Sequence, residues 1–124
     1  MEAVLLTSAA ALLIATMLVH SLLGERRLIR PLLRERTGVM QRPLARFIVP
    51  FAWHLTSTIG LIVAATLLAL AWTPAHVGTV TIAATGLVFT VAGIVDAIGS
   101  RREHIGWPFL TAIGVLALVA LLAR

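Results

Sequence analysis

The chain has 124 residues, of which 60% are hydrophobic and 12% are charged. Its net charge is +5, and all of its basic residues are arginines. Soluble domains contain roughly a quarter charged residues, so this composition excludes an ordinary soluble domain and favours a protein whose solvent is lipid. The chain has no cysteine, which excludes disulfides, thiolate metal sites and cysteine nucleophiles.

Four apolar segments predict membrane-spanning helices. They cover about residues 3–23, 47–72, 77–98 and 105–123. A helix needs about 20 residues, each rising about 1.5 Å, to cross a hydrocarbon core of roughly 30 Å. Lipid admits only helices and closed barrels, and runs rich in Leu, Ala and Val without period-two alternation favour helices. We therefore predict an all-α integral membrane protein, a single domain over residues 1–124 that folds as a four-transmembrane-helix bundle.

A basic segment, about residues 24–46, follows the first predicted span. Within LIRPLLRER (residues 28–36), apolar and basic side chains fall largely on opposite helical faces, which predicts a short amphipathic helix in the membrane interface. Its basic face would contact anionic lipid head groups, and docking of a soluble partner is the alternative. The residues expected to contact lipid head groups are Arg26, Arg27, Arg30 and Arg34.

The distribution of arginine predicts the orientation. The basic segment at 24–46 holds seven arginines, and the connection between the third and fourth spans holds Arg101 and Arg102. The loop TPAHVG at residues 73–78 holds none. Positively charged loops face the cytoplasm, so we expect a bacterial-type inner (plasma) membrane protein with both termini outside. This topology accounts for the net charge, and we expect no nucleic-acid partner.

Ionisable residues gather near the predicted cytoplasmic ends of all four spans. An ionisable side chain within a span costs about 2.5 to 3.5 kcal/mol on insertion scales, so such residues usually face protein and have a partner. The predicted layer consists of His20, His54, His104, Glu25, Asp96 and Glu103.

Imidazoles and carboxylates that converge from several helices favour a divalent metal, Zn or Fe, and a lipid-soluble substrate would suit such a site. We expect the three histidines to be metal ligands. The three acids would be further ligands, partners that orient the histidines, or an acid–base group. Two alternatives stay open. One is a haem or electron-transfer subunit ligated by two histidines, with His20 and His54 as the best pair. The other is an accessory subunit whose polar layer only locks the helices. His20 and Glu25, five apart, would share a face only if the helix unwound near Gly24.

Small residues four apart predict close helix packing. Gly60 with Ala64 and Gly93 with Ala97 form such pairs on the second and third spans. We expect them to pack these two spans together or to join copies in a homo-oligomer or a larger membrane complex.

Overall fold

The structure is a computed structural model that describes residues 1–124, and every regular element in it is a helix. A π-helical turn over Glu25–Ile29 and 3₁₀ turns over Gly38–Gln41 and Pro74–His76 lie between the longer elements. The prediction of an all-α protein is confirmed. The five α-helices are α1 (Glu2–Gly24), α2 (Arg30–Glu35), α3 (Pro43–Trp72), α4 (Val77–Gly99) and α5 (Gly106–Leu122).

Three helical stretches are long and apolar enough to cross a membrane. They are Glu2–Glu35, Pro43–Trp72 and Pro74–Gly99. These stretches indicate a membrane protein. The fourth predicted span is apolar as well, but α5 has 17 residues, fewer than the roughly 20 that a perpendicular crossing needs. A fourth span is therefore not confirmed.

The first helix continues well beyond its expected end. Residues Glu2–Glu35 form one helical stretch of 34 residues, because the π turn joins α1 to α2 without a break. Within this turn the backbone N–H of Arg30 donates to the carbonyl of Glu25, five residues back. The separate interfacial helix is therefore not confirmed. Ile29 is buried, whereas Leu28 is 58% exposed.

The four long helices are neighbours in space in the order in which they follow in sequence. The helix α1 packs mainly on α3, α3 packs on α4, and the α4–α5 contact is the most extensive. Successive long helices run in opposite directions: Trp72 near the end of α3 donates to Thr7 near the start of α1. We call the end where α1 finishes, α3 begins, α4 finishes and α5 begins the arginine end, because the basic connections at 25–42 and 100–105 lie there.

The glycines pack against other helices than the sequence suggested. A Cβ on Gly60 would collide with Met17 of α1, and a Cβ on Gly93 would collide with the backbone of Thr111 in α5. The expected contact of the second and third spans through these two glycines is therefore wrong. Small residues instead bring α3 close to α1 and α4 close to α5. The sequence did not indicate these partners, because hydropathy does not record which helix lies opposite a given face.

Candidate functional site: a polar layer at the arginine end

Four of the six predicted residues form two separate pairs at the arginine end. Glu25 and His54 meet between α1 and α3, and Asp96 and His104 meet where α4 turns into α5. No group of three or more His, Asp or Glu side chains has an arrangement that could hold a metal ion. The separation follows from the order of the helices, since α1 contacts α3 whereas α5 contacts α4.

In the first pair, the two ring nitrogens of His54 contact different residues. Its Nδ1 is 3.0 Å from the hydroxyl of Ser21, and its Nε2 is 3.4 Å from Oε2 of Glu25. The other carboxylate oxygen of Glu25 accepts a hydrogen bond from Nε of Arg30 at 3.3 Å. Glu25 is the first residue of the π turn, and π turns of this kind frequently occur at functional sites. The helix thus neither ends nor unwinds after Gly24 but continues through a wider helical turn.

A chain of hydroxyl groups assigns one tautomer to a neutral His54 ring. Ser57 donates its hydroxyl hydrogen to the carbonyl of Met17 at 3.3 Å, and Ser21 donates its own to Ser57 at 2.9 Å. A hydroxyl has one hydrogen, so Ser21 has none left for His54 and must accept from Nδ1–H. This network, rather than an observed hydrogen, assigns the tautomer. In a neutral ring, Nε2 then presents a lone pair to Glu25.

Two acceptors therefore face each other between α1 and α3. Oε2 of Glu25 is buried and has no hydrogen-bond donor, and the neutral Nε2 of His54 has none to offer. Lone pairs 3.4 Å apart repel unless a positive charge lies between them. A proton shared by the pair or a metal cation would supply that charge.

His20 is held by Trp53. The two rings are stacked, with centroids 4.0 Å apart and planes 9° from parallel, and the indole N–H donates to the His20 carbonyl at 3.0 Å. The indole can lie this close to α1 only because residue 24 is glycine, since a Cβ there would overlap the indole. Nε2 of His20 is buried without a partner. Haem ligation by His20 and His54 stays a prediction.

Asp96 and His104 form a tight hydrogen-bonded pair. Nδ1 of His104 lies 2.6 Å from Oδ2 of Asp96, which is fully buried. Two ligands on one ion stand roughly 3 to 4 Å apart, so this shorter contact suits an acid that orients an imidazole. Oδ1 of Asp96 is buried without a partner. Glu103 is exposed and joins neither pair.

An unusual connection brings His104 back to Asp96. The N–H of Arg102 donates to the carbonyl of Ala97, and that of Arg101 donates to Ile98, which together close α4 with a Schellman motif. Both arginines have left-handed backbones, with φ of 53° and 65°, a conformation that usually belongs to glycine. Each such residue costs roughly 1 to 2 kcal/mol. The strained turn folds α5 back so that a histidine reaches an acid eight residues earlier.

An apolar groove of about 600 Å³ opens between α3 and α4, and we call it the α3/α4 groove. His54 and Thr58 are the two polar residues in its lining, and the hydroxyl of Thr58 is already bonded to the carbonyl of Leu55 at 2.8 Å. The imidazole of His54 is 44% exposed, so it borders both this groove and the contact with Glu25. Apolar residues that line the groove include Phe47, Phe51, Leu87, Val91 and Val95.

Two residues of the site, Ser21 and Trp53, were not predicted from the sequence. Ser21 relays the hydrogen bond that orients His54, and Trp53 holds His20. Ser57 was visible three residues after His54 on the same helical face, but serine and tryptophan are ordinary near helix ends and gave no separate signal.

Comparison with known protein families, characterised proteins and solved structures finds no match for this chain.

Proposed function

We propose that the chain is a small inner-membrane protein of the bacterial type that binds one divalent metal ion, Zn²⁺ or Fe²⁺, between Glu25 and His54. The facing acceptors support this proposal most strongly. A buried carboxylate oxygen without a donor lies 3.4 Å from an imidazole nitrogen that carries no proton in the neutral tautomer assigned from the hydroxyl network. A cation between them would remove the repulsion and would satisfy both lone pairs.

The spacing of the two atoms suits a shared ion. Zinc–nitrogen and zinc–oxygen bonds measure roughly 2.0 to 2.2 Å, which places neighbouring ligand atoms roughly 3 to 4 Å apart. Ser21 accepts from Nδ1–H and orients the ring, as the partners of ligating histidines usually do. His20, whose Nε2 is buried without a partner, would have to move to become a third ligand, because no three such side chains converge in the structure. Asp96 would orient His104 at the neighbouring pair.

In this proposal the protein crosses the membrane four times with the arginine end in the cytoplasm and both termini outside. The loop at 73–78 has no arginine, whereas both connections at the arginine end do. The 34-residue first helix would extend about 51 Å at about 1.5 Å per residue, well beyond a hydrocarbon core of roughly 30 Å. Its extension carries four exposed arginines that would contact anionic head groups, namely Arg26, Arg27, Arg30 and Arg34.

A structural polar lock is the second candidate function. The hydroxyl of Ser21 reaches Ser57, the hydroxyl of Ser57 reaches Met17, and the indole of Trp53 reaches His20. Each of these bonds joins α1 to α3. Hydrogen bonds between membrane helices contribute on average about 0.6 kcal/mol each, so the network would fix the register of the two helices without any metal. A shared proton would then occupy the contact between Glu25 and His54.

Metal analysis of the purified protein separates the two candidates. Wild type, Glu25→Gln and His54→Ala are compared with His76→Ala, which removes an exposed histidine at the opposite end. We expect about one equivalent of Zn or Fe in wild type and in the control, and a loss in both site variants. Equal metal content in wild type and His54→Ala, or no metal in any of them, would favour the lock. A Soret band would favour haem instead.

A further inference from the structure

Four successive contacts between α1 and α3 join two groups that can only accept hydrogen bonds. One end is the carbonyl of Met17, and the other is Oε2 of the Glu25 carboxylate. The hydroxyls of Ser57 and Ser21 and the ring of His54 lie between them, in that order. The successive polar atoms are 3.3 Å, 2.9 Å, 3.0 Å and 3.4 Å apart. We call these five groups the hydroxyl–imidazole chain.

The hydroxyl–imidazole chain holds one hydrogen fewer than it has contacts. Each hydroxyl supplies one hydrogen and a neutral imidazole supplies one, whereas a carbonyl and a carboxylate supply none. Three hydrogens therefore serve four contacts, and one contact is left without a hydrogen. This contact is the one to Glu25, whose Oε2 is buried without a donor. It is the same contact at which we place the metal ion.

Ser57 causes this shortage. Its hydroxyl takes part in two contacts, one with Met17 and one with Ser21, but it brings only one hydrogen. Ser57 is 6% exposed, so solvent does not supply another. Because its hydroxyl donates to the Met17 carbonyl, it accepts from Ser21. Ser21 then has no hydrogen for His54, and the hydrogen of a neutral ring stays on Nδ1.

Removal of the Ser57 hydroxyl would balance the number of hydrogens and contacts. Two contacts would remain, from Ser21 to Nδ1 of His54 and from Nε2 to Glu25. The hydroxyl of Ser21 would be free to donate to Nδ1, and the hydrogen of the neutral ring would lie on Nε2, where it faces the carboxylate. A ring nitrogen that carries a hydrogen has no lone pair to offer a metal ion.

We infer that Ser57 is a positioning residue of the metal site. It acts through Ser21 to keep the hydrogen of a neutral His54 on Nδ1, and it thereby leaves the lone pair of Nε2 facing Glu25. The inference deepens the proposed function and rests on it for the effect on metal affinity. The position of the hydrogen on the metal-free ring does not depend on that function.

Nitrogen NMR of the metal-free protein with isotope-labelled histidine tests the inference, because it identifies the ring nitrogen that carries the hydrogen. Spectra are recorded at a pH at which the ring is neutral, and the His54 signals are those absent from His54→Ala. Thr58→Val is the matched control for Ser57→Ala, because the Thr58 hydroxyl donates to Leu55 within α3 and lies outside the chain of contacts. We expect the hydrogen on Nδ1 in wild type and in the control, and on Nε2 in Ser57→Ala.

Zinc titration of the same proteins measures the consequence for the metal site. Loss of a residue that orients a ligand typically weakens metal binding roughly 10- to 100-fold. We therefore expect Ser57→Ala to bind zinc at least tenfold more weakly than wild type, and Thr58→Val to bind it like wild type. A residue that contributes only to helix packing would leave the position of the hydrogen on His54 unchanged.

Two NMR results would overturn the inference. The same hydrogen position in wild type and Ser57→Ala would show that Ser21 donates elsewhere, and a hydrogen on Nε2 in wild type would show that Ser57 does not control the ring. The titration separates the two proposals. Equal zinc affinity in wild type and Ser57→Ala would reject the inference alone, whereas a shifted hydrogen in Ser57→Ala with no zinc bound by wild type would reject the metal site alone.

Discussion

Trp53 lies flat on His20, with ring centroids 4.0 Å apart, and its indole N–H also donates to the His20 carbonyl. One side chain of α3 thereby fixes both the backbone and the ring of a residue on α1. Because Gly24 lies under the same indole, this contact also sets the position of the helix directly before the π turn. The orientation of Glu25 toward His54 therefore depends on Trp53.

Replacing Trp53 by Phe should lower stability in detergent by about 1 kcal/mol, because the stacking remains while the hydrogen bond is lost. Thermal unfolding followed by size-exclusion chromatography measures the change. Trp107→Phe is the control, since the tryptophans that donate a hydrogen bond within the chain are Trp53 and Trp72. Equal losses in both variants would show that the bond to His20 contributes nothing specific.

Replacing Gly24 by Ala should destabilise the protein by about 1 to 3 kcal/mol, because the new methyl group would overlap the indole of Trp53. The same unfolding measurement applies. Gly78→Ala is the matched control: the nearest atoms to its added Cβ are 3.4 Å away, at the end of the Arg124 side chain. Alanine favours a helix by about 1 kcal/mol over glycine, so the control should be neutral or more stable. A neutral Gly24→Ala would contradict the close contact.

The positions of the long helices, and the end of the bundle at which the polar residues gather, were predictable from the sequence, whereas the pairs among those residues were not. Apolar runs long enough to cross lipid marked α1, α3 and α4 to within a few residues. Since successive long helices alternate in direction, residues near the predicted cytoplasmic ends do lie at one end of the bundle. Depth along each helix is encoded in hydropathy, but the lateral order of the helices is not.

The lateral order of the helices determined which of the predicted ligands lie next to each other. Gly60 and Gly93 were predicted to pack the second span against the third. Small residues indicate that another helix approaches closely, but they do not indicate which helix it is. The π turn was equally invisible, because the sequence ERRLI is compatible with an ordinary α-helix. Only the five-residue spacing of His20 and Glu25 indicated that the helix had to change there for the two to share a face.

The pair formed by Asp96 and His104 should show strong coupling in a double-mutant cycle. His104→Ala leaves a fully buried carboxylate without a partner and should cost about 3 kcal/mol or more. Adding Asp96→Ala should restore part of this loss, with a coupling energy of roughly 1 to 3 kcal/mol. Asp96→Ala combined with His76→Ala is the control and should be additive. Additive losses for Asp96 and His104 would show that the 2.6 Å contact is not a stabilising pair.

Reporter fusions test the proposed orientation. A fusion after Arg36 should report the cytoplasm and a fusion after His76 should report the outside, because the arginine-rich connections are expected inside. A third fusion after Arg124 should agree with the one after His76 if α5 crosses the membrane. Agreement between the Arg36 and His76 fusions would contradict the orientation, and agreement between the Arg36 and Arg124 fusions would show that α5 does not cross.

Zinc titration of metal-free protein tests the proposed metal site between Glu25 and His54. Glu25→Gln is the variant, because it keeps the shape of the side chain while removing its charge. Loss of an orienting partner typically weakens metal binding roughly 10- to 100-fold, so loss of a direct ligand should weaken it by about 100-fold or more. We expect one zinc ion per wild-type chain, an unchanged zinc affinity in His76→Ala and a zinc affinity weakened to this extent in Glu25→Gln. Equal zinc affinity in wild type and Glu25→Gln would contradict it.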